Sequence, residues 1–473
     1  MDKKIAIIIA AAAIIVVAAA AVFLMNSGDD RQDSSNNGAT VGTVLKALPD
    51  DSSRLWVYGN ANQDDRIDSA DVDYIRNVVK GSASGTILCD ANCDGKVDSA
   101  DADYVSRMIS AQRSGSAELD VYYIDYYDTV SKVSWPVKSI TIGYCSGAYT
   151  ADLIGVADKV KMVDGTIQKY WASLNPAYSK AISFGTDEEP DTELVMKTEA
   201  DVYVAGYPVD GDQDIAKALR PAGIDVMFLA TADGNSVVIY NTDRMIVMQG
   251  YLLQGDMDKT YRYLDWHDGI IGKIRGAVSG LSDPQKKTLF MSRTSPAQDE
   301  TGGKLTICGR NQVNAVHMEI SGAYSAGLYD SLTIGSQYSG LTYEQVYTLF
   351  KNEGRDTDGD GVKDVYLIYN GHDGMRQTRD LEVQAHGIAD VLTESPVNIH
   401  YMGMARESGN TPFYIIELVL YLQVLYPELA SSAGLDYVQV FNEYFSTFDS
   451  TAQHASVEHY FADFGKLTSA VSN

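Results

Sequence analysis

The chain has 473 residues, room for more than one domain, and its 45% hydrophobic share can supply a sizeable core. Its 64 Asp and Glu against 37 Lys and Arg leave a formal charge of −27, which argues against nucleic acid and anionic lipid surfaces as partners. Four cysteines, at 89, 93, 145 and 308, match no zinc spacing and are too few for a disulfide scaffold.

Met1-Asp2-Lys3-Lys4 precedes an uncharged run from Ile5 to Met25. As a helix this run is about 31 Å long, enough to cross a hydrocarbon core. Residues 1–27 therefore read as an uncleaved membrane anchor, with the lysines inside and the bulk of the chain on the extracytoplasmic face. Ala18 to Ala21 offer small residues to a peptidase, so a cleaved signal peptide is the alternative. No cysteine precedes Cys89, which excludes a lipoprotein anchor. Residues 28–52 form a polar linker too poor in apolar side chains to fold.

Within residues 53–113 a twelve-residue acidic loop occurs twice, as Asn60 to Asp71 and Asp90 to Asp101. Oxygens at loop positions 1, 3, 5, 9 and 12, with a main-chain carbonyl at 7, give two ligand sets. These are Asn60, Asn62, Asp64, Arg66 (carbonyl), Asp68 and Asp71, and then Asp90, Asn92, Asp94, Lys96 (carbonyl), Asp98 and Asp101. Only a hard cation accepts so many oxygens, and Ca2+ is the expected ion. An amphipathic helical segment follows each loop. Cys89 and Cys93 flank and enter the second loop, where a bridge and free thiols both stay open.

The repeated loop-plus-helix, ending in Asp where EF-hands usually place Glu, resembles a dockerin module. That resemblance implies a cohesin module as partner. It places Ser69, Ala70 and Arg76, and their repeats Ser99, Ala100 and Arg107, on the docking face, usable in two orientations. Asp65 departs from the pattern, since Gly normally makes the sharp turn at position 6. A weaker first site is expected.

Gln112 to Ala117 reads as a second short linker. From there the pattern is α/β, with β-rich runs at 139–143, 200–206 and 223–229, then a long helical stretch from Thr242 to Ser279 broken near Gly255-Asp256. Further β-rich runs follow at 287–291, 305–308 and 365–369, and the last hundred residues read as helical. Strands alternating with helices predict parallel sheets with loops gathered at their carboxyl ends. The expected fold is a two-lobed α/β protein: first lobe 114–255, interlobe helix 256–283, second lobe 284–473, preceded by the small all-α calcium module. A third acidic loop offers Asp356, Asp358, Asp360 and Asp364 with Gly361 at position 6, another calcium pattern with a structural role.

Several segments, in order, resemble the class III substrate-binding proteins of ABC importers, the group handling iron–siderophore complexes, haem and cobalamin. They are Val137 to Ile142, Pro190 to Val204, Leu341 to Val346, Leu425-Tyr426-Pro427-Glu428, and the closing stretch from Asp436 to Phe445. The resemblance implies a metal-chelate ligand between the lobes and an ABC permease as partner, met by Glu193 and Glu344 on the two lobe tips. Loops following the strands supply the candidate ligand contacts: Tyr144, Cys145, Ser146, Tyr149 and Tyr207 in the first lobe, and Arg310, Asn311, Asn370, His372 and Arg376 in the second. Tyrosine faces suit macrocycles or catecholate rings, and arginine can clamp an anionic chelate in two-pronged fashion.

Enzyme readings lack support. No His-Glu-x-x-His, Gly-x-Ser-x-Gly or Walker loop occurs, and no motif marks a carboxylate pair as acid and nucleophile. The expectation is a non-enzymatic receptor, with a dockerin-bearing surface-assembly protein or hydrolase as the alternative.

Overall fold

The computed structural model describes residues 47–49, 52–170, 175–186, 189–205, 212–229, 239–292, 304–308, 313–324, 337–371, 397–405, 411–412, 414–449 and 457. Helices α1 (Ser69–Val79) and α2 (Ser99–Ser114) each begin at a capping aspartate, Asp68 and Asp98, with Asp71 and Asp101 bonding back to the cap backbone. Their inner faces, including Val72, Ile75, Val105 and Met108, join one buried cluster with Leu55 and Leu88.

The module is not tethered by a linker alone. Helix α2 runs to Ser114, turns at Gly115 (φ +63°) and leads into a hairpin of β1 (Leu119–Ile124) and β2 (Val130–Trp135). Gln254 Nε2 donates to the Ala111 carbonyl at 3.2 Å, holding the end of α2 against the body of the protein. Trp56 to Tyr58 lies along β1, with Tyr58 N donating to Tyr122 O and Ile124 N to Trp56 O, both at 2.9 Å. Of the linker expected at 112–117, Gln112 to Ser114 complete α2, and residues 113–117 are exposed, so a short connector remains between two packed units.

The first lobe comprises β3 (Ile140–Ile142), α3 (Cys145–Leu153), β4 (Val160–Val163), α4 (Gly165–Tyr170), α5 (Pro176–Lys180), β5 (Ile182–Ser183), α6 (Thr192–Lys197), β6 (Val202–Ala205), α7 (Asp212–Leu219) and β7 (Asp225–Phe228). Its sheet is wholly parallel in the order β5-β4-β3-β6-β7. The hairpin covers the β7 edge, where Ser134 N donates to Asp225 Oδ2 at 2.7 Å and Tyr126 N to Phe228 O at 2.9 Å.

Two helices follow, α8 (Ile239–Leu252) and α9 (Met257–Val278). They part where the sequence places the break: a Cβ on Gly255 would lie 2.5 Å from the Ile154 carbonyl oxygen, and Asp256 caps α9 through Lys259 N. Buried Tyr263, Ile270, Ile271 and Ile274 form the inner face of α9.

The second lobe holds β8 (Leu289–Ser292), β9 (Lys304–Cys308), α10 (Val313–Ile320), β10 (Gln337–Thr342), α11 (Tyr343–Glu353), β11 (Lys363–Gly371) and β12 (Val397–Ala405), ordered β10-β9-β8-β11-β12. This repeats the strand order of the first lobe. Two expectations need correction: β9 runs antiparallel to β8 and β10, so this sheet is mixed, and β12 is a nine-residue strand inside the stretch expected to be helical. Helices α12 (Tyr414–Leu425), α13 (Pro427–Ser432) and α14 (Tyr437–Thr447) close the chain. Residues of α12 are buried on all sides, as suits its almost uninterrupted apolar sequence.

Among the described residues no helix is long and apolar enough to cross a membrane. The expected anchor at 1–27 lies outside the described residues.

Candidate functional site

The two acidic loops share one internal bonding pattern. In the first, Asp64 N donates to Asn62 Oδ1 (3.0 Å), Arg66 N to Asp64 Oδ1 (3.0 Å) and Ala70 N to Asp68 Oδ1 (2.6 Å), while Asp71 accepts from Asn62 N and Asp68 N. In the second, Asn92, Asp94, Asp98 and Asp101 accept from Asp94 N, Lys96 N, Ala100 N and the pair Asn92 N and Asp98 N in the same way. The aspartates at position 12 are buried, Asp71 at 0% and Asp101 at 1% exposure. Burial pushes Asp71 up to about 7 and Asp90 up to about 6, the response of carboxylates taken out of water close to other carboxylates. At position 1 of the first loop, Asn60 is fully buried; its Nδ2 donates to Leu55 O at 2.8 Å, but its Oδ1 has no hydrogen-bond partner. An orphaned acceptor beside crowded carboxylates fits a hard cation.

The loops differ at position 6, where Gly95 (φ +92°) is matched by Asp65 (φ +68°). The Asp65 carboxylate is bonded: it accepts from Ser53 Oγ (2.9 Å), Arg54 N (2.5 Å) and Leu55 N (2.8 Å). Cys89 and Cys93 are buried free thiols. Ser69, Ala70, Arg76, Ser99, Ala100 and Arg107 are all exposed.

In the third loop the carboxylates of Asp356, Asp358 and Asp360 converge within 4.8 Å of one another, and all three are exposed. Asp364 is not brought into that set. Its Oδ1 lies 3.0 Å from His400 Nε2 and accepts from Asn398 Nδ2 at 3.2 Å, so the side chain engages β12.

Of the candidate ligand contacts, Tyr144 is half-buried between β3 and α3, and Cys145 and Ser146 open α3. Tyr149 is 5% exposed and belongs to the apolar core, which makes it a packing residue and corrects its expected place in the pocket. Asn370 lies in β11, paired with Met404. Tyr207, Arg310, Asn311, His372 and Arg376 lie outside the described residues. Glu193 and Glu344 are both exposed in the first turn of a helix. Helix α6 joins β5 to β6 and α11 joins β10 to β11, so the two glutamates occupy equivalent places in two lobes of identical strand order.

A buried polar cluster on α8 and α9 escaped the sequence. Arg54 grips Asp268 with two bonds (Nη1–Oδ1 3.1 Å, Nη2–Oδ2 3.0 Å) and lies 3.6 Å from Asp243 Oδ2. His267 Nδ1 is 3.1 Å from Asp268 Oδ1 and 3.4 Å from Asp243 Oδ2, and its Nε2 bonds the Tyr414 hydroxyl. More than two hundred residues separate Arg54 from Asp268, so no local pattern announces the cluster.

No protein-family model and no curated protein matches the sequence. Solved structures do resemble it. A periplasmic solute-binding protein from Veillonella parvula superposes with a TM-score of 0.52 at 15% identity, covering 71% of this chain and 94% of its own. The TroA-like periplasmic binding protein FepB from Veillonella parvula gives 0.53 at 14% identity, covering 72% and 98%. The molybdate-binding protein MolA of a Haemophilus influenzae ABC transporter gives 0.52 at 14% identity, covering 70% and 98%. These neighbours are solute-binding proteins, and the two lobes described here adopt the fold of periplasmic solute-binding proteins.

Proposed function

We propose that the protein is the extracytoplasmic substrate-binding component of an ABC importer, capturing an iron–siderophore or related metal chelate such as haem or cobalamin and handing it to a membrane permease. The observation that carries this reading is the repetition of one strand order in two lobes with an exposed glutamate at the matching helix start of each, Glu193 and Glu344. Two equivalent negative points suit two equivalent cationic points on a permease. Binding and release need no bond-making chemistry, so the protein acts as a receptor and not as an enzyme.

The calcium module adds attachment. Ca2+ would be held by Asn60, Asn62, Asp64, the Arg66 carbonyl, Asp68 and Asp71 in the first loop and by their repeats in the second, as the buried orphan Asn60 Oδ1 supports. Its exposed Ser69, Ala70 and Arg76, with Ser99, Ala100 and Arg107, would meet a cohesin module. A membrane anchor at residues 1–27 would keep the receptor near its permease. The exposure of that docking face also favours a second reading, a dockerin-bearing surface-assembly protein or hydrolase without transport.

Thermal unfolding of the protein with iron–siderophore, haem, cobalamin and molybdate, each with calcium and with EDTA, separates these readings. A ligand at 100 times its Kd adds about 2.7 kcal/mol and raises the melting temperature. No response to any chelate, together with activity on a polysaccharide, would replace the receptor with the hydrolase.

A further inference from the structure

We propose that the calcium module is a structural member of the spine joining the lobes, and that cation occupancy of the first loop, relayed through Asp65 and Arg54, sets the rigidity of α8 and α9. The inference rests on the calcium reading above. Asp65 sits at the loop's tight left-handed turn, and its carboxylate pins Ser53, Arg54 and Leu55. Arg54, so aimed, meets Asp268 and Asp243. Asp243 is fully buried with neither carboxylate oxygen hydrogen-bonded, and the Arg54 guanidinium (3.6 Å) stands beside it together with His267 (3.4 Å). From there His267 carries the contact to Tyr414 of α12, after the second sheet. Where three side chains of α8 and α9 could gather a cation, Arg54 supplies the positive charge.

Neighbouring contacts issue from the same stretch of chain. Trp56 N donates to Met248 Sδ of α8 at 3.1 Å, Arg244 of α8 lies 3.6 Å over the Trp56 ring, and Arg66 lies 4.0 Å over the Tyr261 ring of α9. In the second loop the acidic side chains bond, among the described residues, to main-chain and side-chain groups of that loop and its helix start, and position 6 is Gly95. Side chains of the first loop therefore reach the spine directly, whereas the second half meets it at the far end of α2, where Gln254 bonds Ala111. A charged, left-handed Asp65 keeps its place only while the surrounding loop is fixed. A cation neutralising Asp64, Asp68 and Asp71 supplies that fixity.

Hydrogen exchange on the full-length protein, in calcium and in EDTA, tests the relay, with bound calcium counted directly. Calcium should slow exchange of the α9 amides about tenfold. Asp94→Ala combined with Asp98→Ala should remove one bound ion and leave that response intact. Asp65→Gly should keep calcium in the first loop yet abolish the α9 response. Arg54→Lys keeps the main-chain bond from Arg54 N to Asp65 but loses the guanidinium contacts to Asp65 and Asp268; it should weaken the response because an ammonium cannot reproduce the two-pronged grip, and it serves if Asp65→Gly does not fold. Calcium bound in the first loop with α9 exchange unchanged overturns the relay and leaves the calcium reading standing. A full α9 response in Asp65→Gly also overturns the relay. No calcium bound by either loop overturns both.

Discussion

Arg54 and Asp268 lie 214 positions apart and meet in a two-pronged ion pair that ties the module of paired acidic loops to α9. The pair changes what the module is. A unit on a loose linker would act as a mooring alone, whereas this one shares a core and charges with the two-lobed body.

Acid titration should expose the pair. Burial works against the charged form of Asp268, but hydrogen bonds from His267 and Arg54 and the charge of Arg54 outweigh it and hold the carboxyl down at about 2. A carboxylate depressed in the fold adds stability above its ordinary value of about 4 and loses it as pH falls through its folded value. Since 50% of the side chain is exposed, solvent screening keeps the contribution small. Denaturant unfolding of Asp268→Asn should give a lower and flatter curve than the native protein between about pH 4 and pH 2, with the two meeting at the acid end. A constant offset at every pH would contradict this account.

Two glycines of the spine should respond oppositely to alanine. At Gly255 the new methyl would lie 2.5 Å from Ile154 O, and the destabilisation should be about 1–3 kcal/mol. At Gly269, inside α9, nothing lies within 4 Å, and Gly269→Ala should stabilise by about 1 kcal/mol. Melting temperatures measured side by side decide it.

Charge reversal at the lobe tips should separate transport from binding. Glu193→Lys with Glu344→Lys changes exposed residues, so stability should stay within about 0.5 kcal/mol and ligand affinity should not move. Stimulation of permease ATPase in proteoliposomes should fall about tenfold or more, because like charges opposed across an interface cost several kcal/mol. Unchanged stimulation would remove these residues from the docking role.

Much of this protein is legible in its sequence because the signals are local. Alternating patterns placed β3, β6, β7, β8, β9 and β11, and the repeat of the acidic loop, each followed by a helix, showed in the spacing alone. The β1 strand carries the same kind of local signal in the alternation Leu119, Val121, Tyr123. Tyr149 looked like a pocket residue because it follows a strand, yet its turn of α3 faces the core. Asp364 looked like a ligand because of its position in the loop, but a strand side chain must choose a face, and this one faces His400.

By itself, the chain determined its segment order, two acidic loop-and-helix repeats and two α/β lobes, since each depends on residues a few positions apart whose spacing sets burial and hydrogen bonding. Only the tertiary structure decided that the module packs against the body, that the second sheet is mixed, and that Asp65 serves Arg54. Those outcomes depend on buried charge and sheet edges finding partners far along the chain, as Arg54 finds Asp268 214 positions away, and no local rule can name the match.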